Sequence, residues 1–355
     1  MNETIIENLS NAFGASGFES DAIDVALQYI PKLYSAEQDN YGNVYIQRTQ
    51  KITNAQKTKV LIIAQIDEAG LIVSDVLENG MIKFECLGRW SPSALSAMKV
   101  LVKNSDGNFI TGVIAAHSSH LEEKKNTLGI DEMHIDIGAS SRDDVCQQHK
   151  ISFNCPIVPY ISFEQRNDVI ISKALSYRMG CSALLELLNS ADNENYSVEL
   201  CGLLACRVET KMNFSSELLS KIKPNIIIHL NSTPVISEIE EQIDANVFIK
   251  KGPVLQRLYN GVLASPNFCD FVLDKAREFQ TPLQINFNSS SEISNCNDLM
   301  LRLSVPFITL SCPVRCYYGH NNIASMLDYN GLISIVNMLL KSLDSEGIST
   351  FMKND

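Results

Sequence analysis

The chain has 355 residues, 45% of them apolar, and a net charge of −12. That length accommodates two domains or one large domain with an insertion, and the mixture of apolar and charged residues is that of a globular rather than a disordered chain. An acidic balance without clustered Lys and Arg argues against a nucleic-acid partner, and no apolar run approaches the ~20 residues of a membrane span.

Residues 3–13 carry Ile5, Ile6, Leu9 and Phe13 at helical spacing, and Gly14-Ala15-Ser16-Gly17 ends that helix. Ser20 and Asp21 are caps for a second helix carrying Ile23, Val25, Ala26, Tyr29 and Ile30. Asp39-Asn40-Tyr41-Gly42-Asn43 is a turn before the strand Val44-Tyr45-Ile46. Lys59–Ala64 is a short continuous apolar run, expected to be a parallel strand buried on both faces. It ends in Gln65-Ile66-Asp67-Glu68, at the carboxyl edge where open α/β sheets keep their ligand sites.

From about 70 to 165 the pattern changes to short strands between turn residues: Leu71–Val73, Met81–Phe84, Lys99–Val102, Phe109–Ile114, His134–Ile137 and Lys150–Phe153. Asn79-Gly80 and Asp106-Gly107 are strong turn signals. Such spacing predicts a small all-β, barrel-like module inserted into an α/β domain formed by 1–69 and 166–355. Helix and strand then alternate: helix at Ala183–Leu188, strand at Val198–Val208, helix at Leu218–Ile222, strand at Ile226–Leu230. A helix at Phe268–Phe279, a strand at Val305–Leu310 and a closing helix at Leu332–Leu343 complete a mixed sheet flanked by helices.

The ten cysteines are scattered through apolar segments without a Cys-X-X-Cys pair, which points to buried free thiols rather than a structural zinc module. The polar start Met1-Asn2-Glu3-Thr4 lacks an apolar signal core, so a soluble, cytoplasmic protein is expected. The basic pair Lys124-Lys125 follows Glu122-Glu123 and reads as a solvated loop.

Several segments point to one family. They include Gly14–Glu19, Asp39–Asn43, Gln65–Gly70, Gly112-Val113-Ile114, Ser119-His120-Leu121 and Ile135-Asp136-Ile137-Gly138-Ala139-Ser140-Ser141. Lys173–Cys181, Lys223-Pro224-Asn225 and Pro313-Val314-Arg315 follow. In this order and spacing the chain resembles the glutamyl-aminopeptidase or tetrahedral-aminopeptidase family of dinuclear metallopeptidases, some of which carry an endoglucanase description. The resemblance implies two zinc or cobalt ions held by two His, a bridging Asp, a Glu and an Asp, with a further Glu as general base. Such cations polarise the scissile carbonyl and acidify a bridging water, and the free carboxylate takes the proton.

Carried over position by position, the resemblance places the first His on Gln65 and keeps its orienting carboxylate as Asp67. The bridging Asp falls on Ser176, followed by Tyr177. The general base falls on Val208, which accepts no proton, and its neighbour survives as Glu209. The terminal Asp falls on Asn231 and the last His on Tyr318, while Asp298 matches an Asp of the family pattern. A dinuclear site needs anionic ligands, so no metal is expected unless His229 or His320 joins Glu209 and Asp298 in a rearranged site.

The expectation is therefore a catalytically inactive homologue, peptide-binding or regulatory; the alternatives are an active aminopeptidase with a rearranged metal site and a structural partner of an active paralogue. Asp67 and Glu68 are expected to be hydrogen-bonded to backbone or to Arg178, and Glu209 to be ion-paired. Arg178 and Arg315 are expected to be structural, His320 a solvated loop residue, and Tyr177 and Tyr318 to fill the emptied cavity. A homo-oligomer formed through the inserted module is expected from the resemblance.

Overall fold

A computed structural model describes residues 4–49, 57–115, 129–191, 194, 196–211, 214, 216–235, 247–259, 261–287 and 295–352. Ser119-His120-Leu121 and Glu122–Lys125 lie outside the described residues.

Helices α1 (Ile5–Asn11) and α2 (Ser20–Leu27) precede the hairpin of β1 (Tyr34–Gln38) and β2 (Val44–Arg48). Asp39 makes that turn: its Oδ1 accepts from Tyr41 N at 2.9 Å and Asn43 N at 3.0 Å. β3 (Lys59–Gln65) runs directly into a closed barrel through Ile66–Ala69. Its strands are β4 (Gly70–Val76), β5 (Ile82–Leu87), β6 (Lys99–Lys103), β7 (Phe109–Ile114), β8 (Ile135–Asp136) and β9 (Pro156–Pro159), in the order β4-β5-β8-β7-β6-β9. The short helix α3 (Pro92–Leu95) joins β5 to β6. Side chains alternate inward and outward along these strands, as closure demands, and Leu71, Val73, Ile82, Val100, Val102, Ile114, Ile135 and Ile157 form the barrel's own core.

The strand expected at Lys150–Phe153 is absent: that stretch is loop, and the pairing strand is Pro156–Pro159. Lys150 and Asn154 adopt positive φ, which breaks an extended run, whereas the flanking prolines of β9 obscured it in the sequence.

After the barrel come β10 (Glu164–Arg166), β11 (Val169–Ser172), α4 (Leu175–Ser190), β12 (Glu199–Ala205), α5 (Ser216–Ile222) and β13 (Ile226–Pro234). β14 (Val254–Tyr259), β15 (Val262–Leu263), β16 (Gln284–Phe287), β17 (Phe307–Val314) and β18 (Asn322–Ser325) follow. The helices Pro266–Glu278, Asn295–Leu303, Met326–Ser342 and Ser345–Met352 follow in the C-terminal part, and two single-turn helices, Ile130–Glu132 and Asp144–Gln148, lie within the barrel region. The main sheet runs β1-β2-β12-β3-β13-β17-β14-β15, with β16 paired to β14. Its centre, β12, β3, β13 and β17, is parallel. Those strands bury nearly every side chain, as the continuous apolar runs foretold, because helices cover both faces. β10, β11 and β18 form a separate small sheet.

α4 lies directly on the sheet centre. A Cβ placed on Gly180 would stand 2.5 Å from the Leu230 carbonyl oxygen of β13, so helix and strand touch at a glycine. Gly180→Ala is expected to lower stability by about 1–3 kcal/mol through overpacking against backbone that cannot rotate away. Urea denaturation with an unchanged midpoint would contradict this contact.

Candidate functional site at the carboxyl ends of the strands

β3 delivers Gln65 to the sheet edge, and the link into the barrel places Asp67 and Glu68 just beyond it. An isolated parallel bridge between Ala15 and Glu68 fixes this link: Glu68 N donates to the Gly14 carbonyl at 2.9 Å and Ser16 N to the Glu68 carbonyl at 3.0 Å. The Gly14–Gly17 segment thus acts as a clamp on the end of β3.

Glu68 is buried and doubly paired. Lys173 Nζ lies 2.6 Å from its Oε1 and Arg178 NH2 3.1 Å from the same atom. Lys173 also donates to the Ala12 carbonyl at 2.8 Å, and Arg178 to the Leu9 carbonyl at 2.5 Å. Burial pushes the Lys173 ammonium down to about 8 against the charge of Glu68, which raises it. The expected role of Arg178 holds: it ties the end of α1, the start of α4 and the end of β3 into one unit.

The turn after β12 carries Val208 and Glu209, and four backbone N–H groups of this segment are taken by side chains from three other loops. Asn43 Oδ1 accepts from Cys206 N at 2.9 Å and Glu19 Oε1 from Arg207 N at 2.9 Å. Asp67 Oδ2 accepts from Glu209 N at 2.9 Å and Ser16 Oγ from Thr210 N at 3.3 Å. Val208 is buried and belongs to the main apolar core. Glu209 is held above the ordinary carboxylate range by burial, against a lowering by the Gln65 side chain and by the backbone N–H and charge of Arg89. Gln65 thus faces the Glu209 carboxylate, although its buried Nε2 reaches no acceptor at full hydrogen-bond geometry among the described residues. The barrel presses on the same group: a Cβ on Gly88, whose φ is +92°, would stand 2.5 Å from Glu209 Oε2.

Asp67 is fully buried and pushed up to about 7 by burial, then by the charges of Glu209 and Glu19. Its Oδ1 meets no hydrogen-bond donor among the described residues. Tyr177 adjoins this group: burial holds its hydroxyl far above the ordinary value, with the charges of Glu209, Tyr317, Asp67 and Glu68 adding to the effect.

Ser176 is buried at the start of α4, where its backbone N and its Oγ both donate to Asn322 Oδ1 at 3.2 Å. Asn322 in turn donates to the Cys316 carbonyl at 2.9 Å, so it organises the loop after β17. Asn231, near the end of β13, is buried and accepts from Ser232 N at 2.8 Å. His229, two residues earlier, shares a hydrogen bond of 3.3 Å with Thr309 on β17 and is pushed down to about 4 by burial, which keeps it neutral.

Two expectations about the last loop are corrected. Tyr318 fills no cavity; it is 59% exposed, with its ring edge-on to Tyr317. Cys316 adopts φ +52° and its carbonyl accepts from Gly319 N, a tight turn that throws Tyr318 outward. His320 is not simply solvated: its Nδ1 donates to the Ala94 carbonyl of α3 at 3.0 Å, linking the loop to the barrel. Asp298 lies on the helix Asn295–Leu303, and its side chain is outside the described residues.

The structure therefore brings together Gln65, Asp67, Glu209 and Tyr177, while Ser176 is taken by Asn322 and both histidines are engaged elsewhere. Among the described residues, no group of three or more His, Cys, Asp and Glu could hold a metal ion. The organisers Ser16, Glu19, Asn43 and Lys173 fall inside segments recognisable in the sequence; Asn322 carries no such signal.

The pattern of the M42 glutamyl aminopeptidase family matches residues 42–335. The chain is 24% identical to FrvX of Escherichia coli (strain K12), across 99% of this chain and 98% of that one. It is 23% identical to the glutamyl aminopeptidase of Lactococcus lactis subsp. cremoris (strain MG1363), across 97% of each. The fold superposes with a TM-score of 0.89 on the TET aminopeptidase of the marine sediment archaeon Thaumarchaeota archaeon SCGC AB-539-E09, at 24% identity and 98% coverage of both chains. The TET1 peptidase of Pyrococcus horikoshii, which can assemble into a tetrahedron or a large octahedral shell, gives 0.82 at 20% identity, covering 96% of this chain and 99% of that one. With the family pattern spanning most of the chain, and the mixed sheet and inserted barrel those of the solved TET aminopeptidase, the chain belongs to the M42 glutamyl aminopeptidase family.

Proposed function

We propose that this chain is a catalytically silent member of its family, acting as a peptide-binding or regulatory protein. The observation that carries this is Val208: where the family places its general base, a buried aliphatic side chain packs into the core. It stands beside Gln65, Ser176 and Asn231 at the positions the resemblance assigns to ligands, leaving Glu209 as the retained carboxylate. A pair of divalent cations needs several anionic donors, and an amide, a hydroxyl, a second amide and one carboxylate do not fit it. The segments around these positions are held by Glu68, Lys173, Arg178, Asn43, Glu19 and Asn322, none of which requires a cation.

The second reading, an active aminopeptidase with a rearranged site, needs His229 or His320 to turn toward Glu209. The Thr309 and Ala94 partners of those rings weigh against it. The assembly of the TET1 relative supports a homo-oligomer here, which we assign to the barrel; a structural partnership with an active paralogue is a third possibility.

The test is an aminopeptidase panel on the full chain with added zinc, cobalt or manganese, together with metal analysis of the purified protein. No turnover and no stoichiometric metal are expected, and a chelator should leave the melting temperature unchanged. Turnover abolished by Glu209→Ala would overturn the proposal. Co-purification of a catalytic paralogue from the native host would favour the structural partnership instead.

A further inference from the structure

A concavity lies between the sheet and the barrel, with a volume of about 530 Å³. That is within the range of small-molecule sites, about 300–1,000 Å³. None of Gln65, Ser176, Glu209 or Asn231 lines it, so it is distinct from the strand-end site.

Arg207 lines this cavity. Among the described residues its guanidinium has no ion-pair or hydrogen-bond partner, and its Nε is buried. A partly buried guanidinium left in this way is costly, because its N–H donors lose water without gaining acceptors. Arg207 also adopts φ +55°, a left-handed conformation that a long side chain seldom takes without constraint.

The acidic groups that could have neutralised it are committed elsewhere. Glu19 Oε1 accepts from Gly17 N at 2.7 Å and from Arg207's own backbone N at 2.9 Å. Asp39 takes the N–H groups of Tyr41 and Asn43, and Asp21 pairs with Lys103 at 2.7 Å.

The other walls suit a molecule with two kinds of surface. Ser105 and Ser152, whose hydroxyls are 3.2 Å apart, offer donors from the barrel side. Phe153, 69% exposed, and Tyr41, 36% exposed, offer aromatic faces. We infer that this cavity binds a small organic oxyanion, a carboxylate or phosphate monoester with an apolar body, whose charged end pairs with Arg207. A planar guanidinium fork matches either group in a bidentate pair, while the apolar body lies against Phe153 and Tyr41.

The experiment is titration of the full-length protein with phenyl phosphate, phenylacetate and benzylamine, followed by calorimetry and ligand-observed NMR. At least one anion is expected to saturate in the sub-millimolar range, and the amine is not. Arg207→Gln should weaken that anion at least about tenfold, and Arg207→Lys should recover part of the loss. Binding of phenyl phosphate alone identifies a phosphomonoester site; binding of phenylacetate alone identifies a carboxylate site. Should Arg207→Gln fail to fold, Phe153→Ser at an exposed wall position carries the test, with a severalfold loss of affinity expected. No saturation by either anion, or equal affinity in wild type and Arg207→Gln, overturns the inference. Aminopeptidase activity plays no part in the readout, so the result stands apart from the catalytic question.

Discussion

Arg178→Met is expected to destabilise the protein by about 3–5 kcal/mol, the usual consequence of removing one member of a buried ion cluster. Glu68 and Arg178 are both almost wholly inaccessible, and the guanidinium serves the Glu68 carboxylate and the Leu9 carbonyl together. Methionine keeps much of the volume but supplies no donor, so the Leu9 carbonyl keeps only its bond from Ala12 N at 3.2 Å and Glu68 depends on Lys173 alone. Adding Glu68→Gln should recover a large part of the loss, because the stranded charge is then gone. Lys173 can follow by releasing its proton, since burial already holds it down to about 8. A double-mutant cycle in urea measures the coupling; independent, additive effects would show that the cluster is not the tie between α1, α4 and β3.

This cluster also bears on whether the scaffold depends on bound cations. If cations had held the strand ends in place, losing their ligands would loosen the fold. Here the link at Glu68 is fixed by two cationic side chains and a backbone bridge, and the turn at 206–210 by four side chains from three loops. Side chains at positions 65, 176, 208 and 231 can change without touching either set of bonds.

The central strands were readable in the sequence because burial on both faces leaves an uninterrupted apolar run, as in Lys59–Ala64 and Ile226–Leu230. Turns carried by Asn-Gly and Asp-Gly marked the barrel hairpins equally well. Short edge elements were not readable: β1 and β10 expose most of their side chains and have no periodic apolar stripe. The backbone defeated two local expectations, positive φ at Lys150 and Asn154 for the strand and at Cys316 for Tyr318. That Asp67 would be held by a backbone N–H and Glu68 by Arg178 was foreseeable from two adjacent carboxylates at a buried sheet edge. The part played by Asn322 was not, since it depends on a side chain meeting Ser176 from 146 positions away.

Asp67→Asn is expected to stabilise the protein at alkaline pH and to do little at acidic pH. In the folded state the Asp67 carboxyl is pushed up to about 7, from 3.8 when exposed, chiefly by burial and then by the charges of Glu209 and Glu19. Between those two values the folded chain binds more protons than the unfolded chain, so this group's contribution to stability falls as pH rises. The contribution is complete below about 4 and has been lost above about 7. With about 1.4 kcal/mol for each unit of difference, the ionised side chain costs up to about 4 kcal/mol at pH 8 or above. Asparagine removes the charge and keeps an oxygen that can accept from Glu209 N, the one bond that ties this side chain to the Val208-Glu209 turn. The comparison is the urea midpoint of wild type against Asp67→Asn at about pH 5 and about pH 9. A gap that opens only at the higher pH is expected. Parallel profiles would mean that a donor or cation already neutralises Asp67, and a gap closed by added zinc would point to the same carboxylate as a remnant of a site that still takes metal.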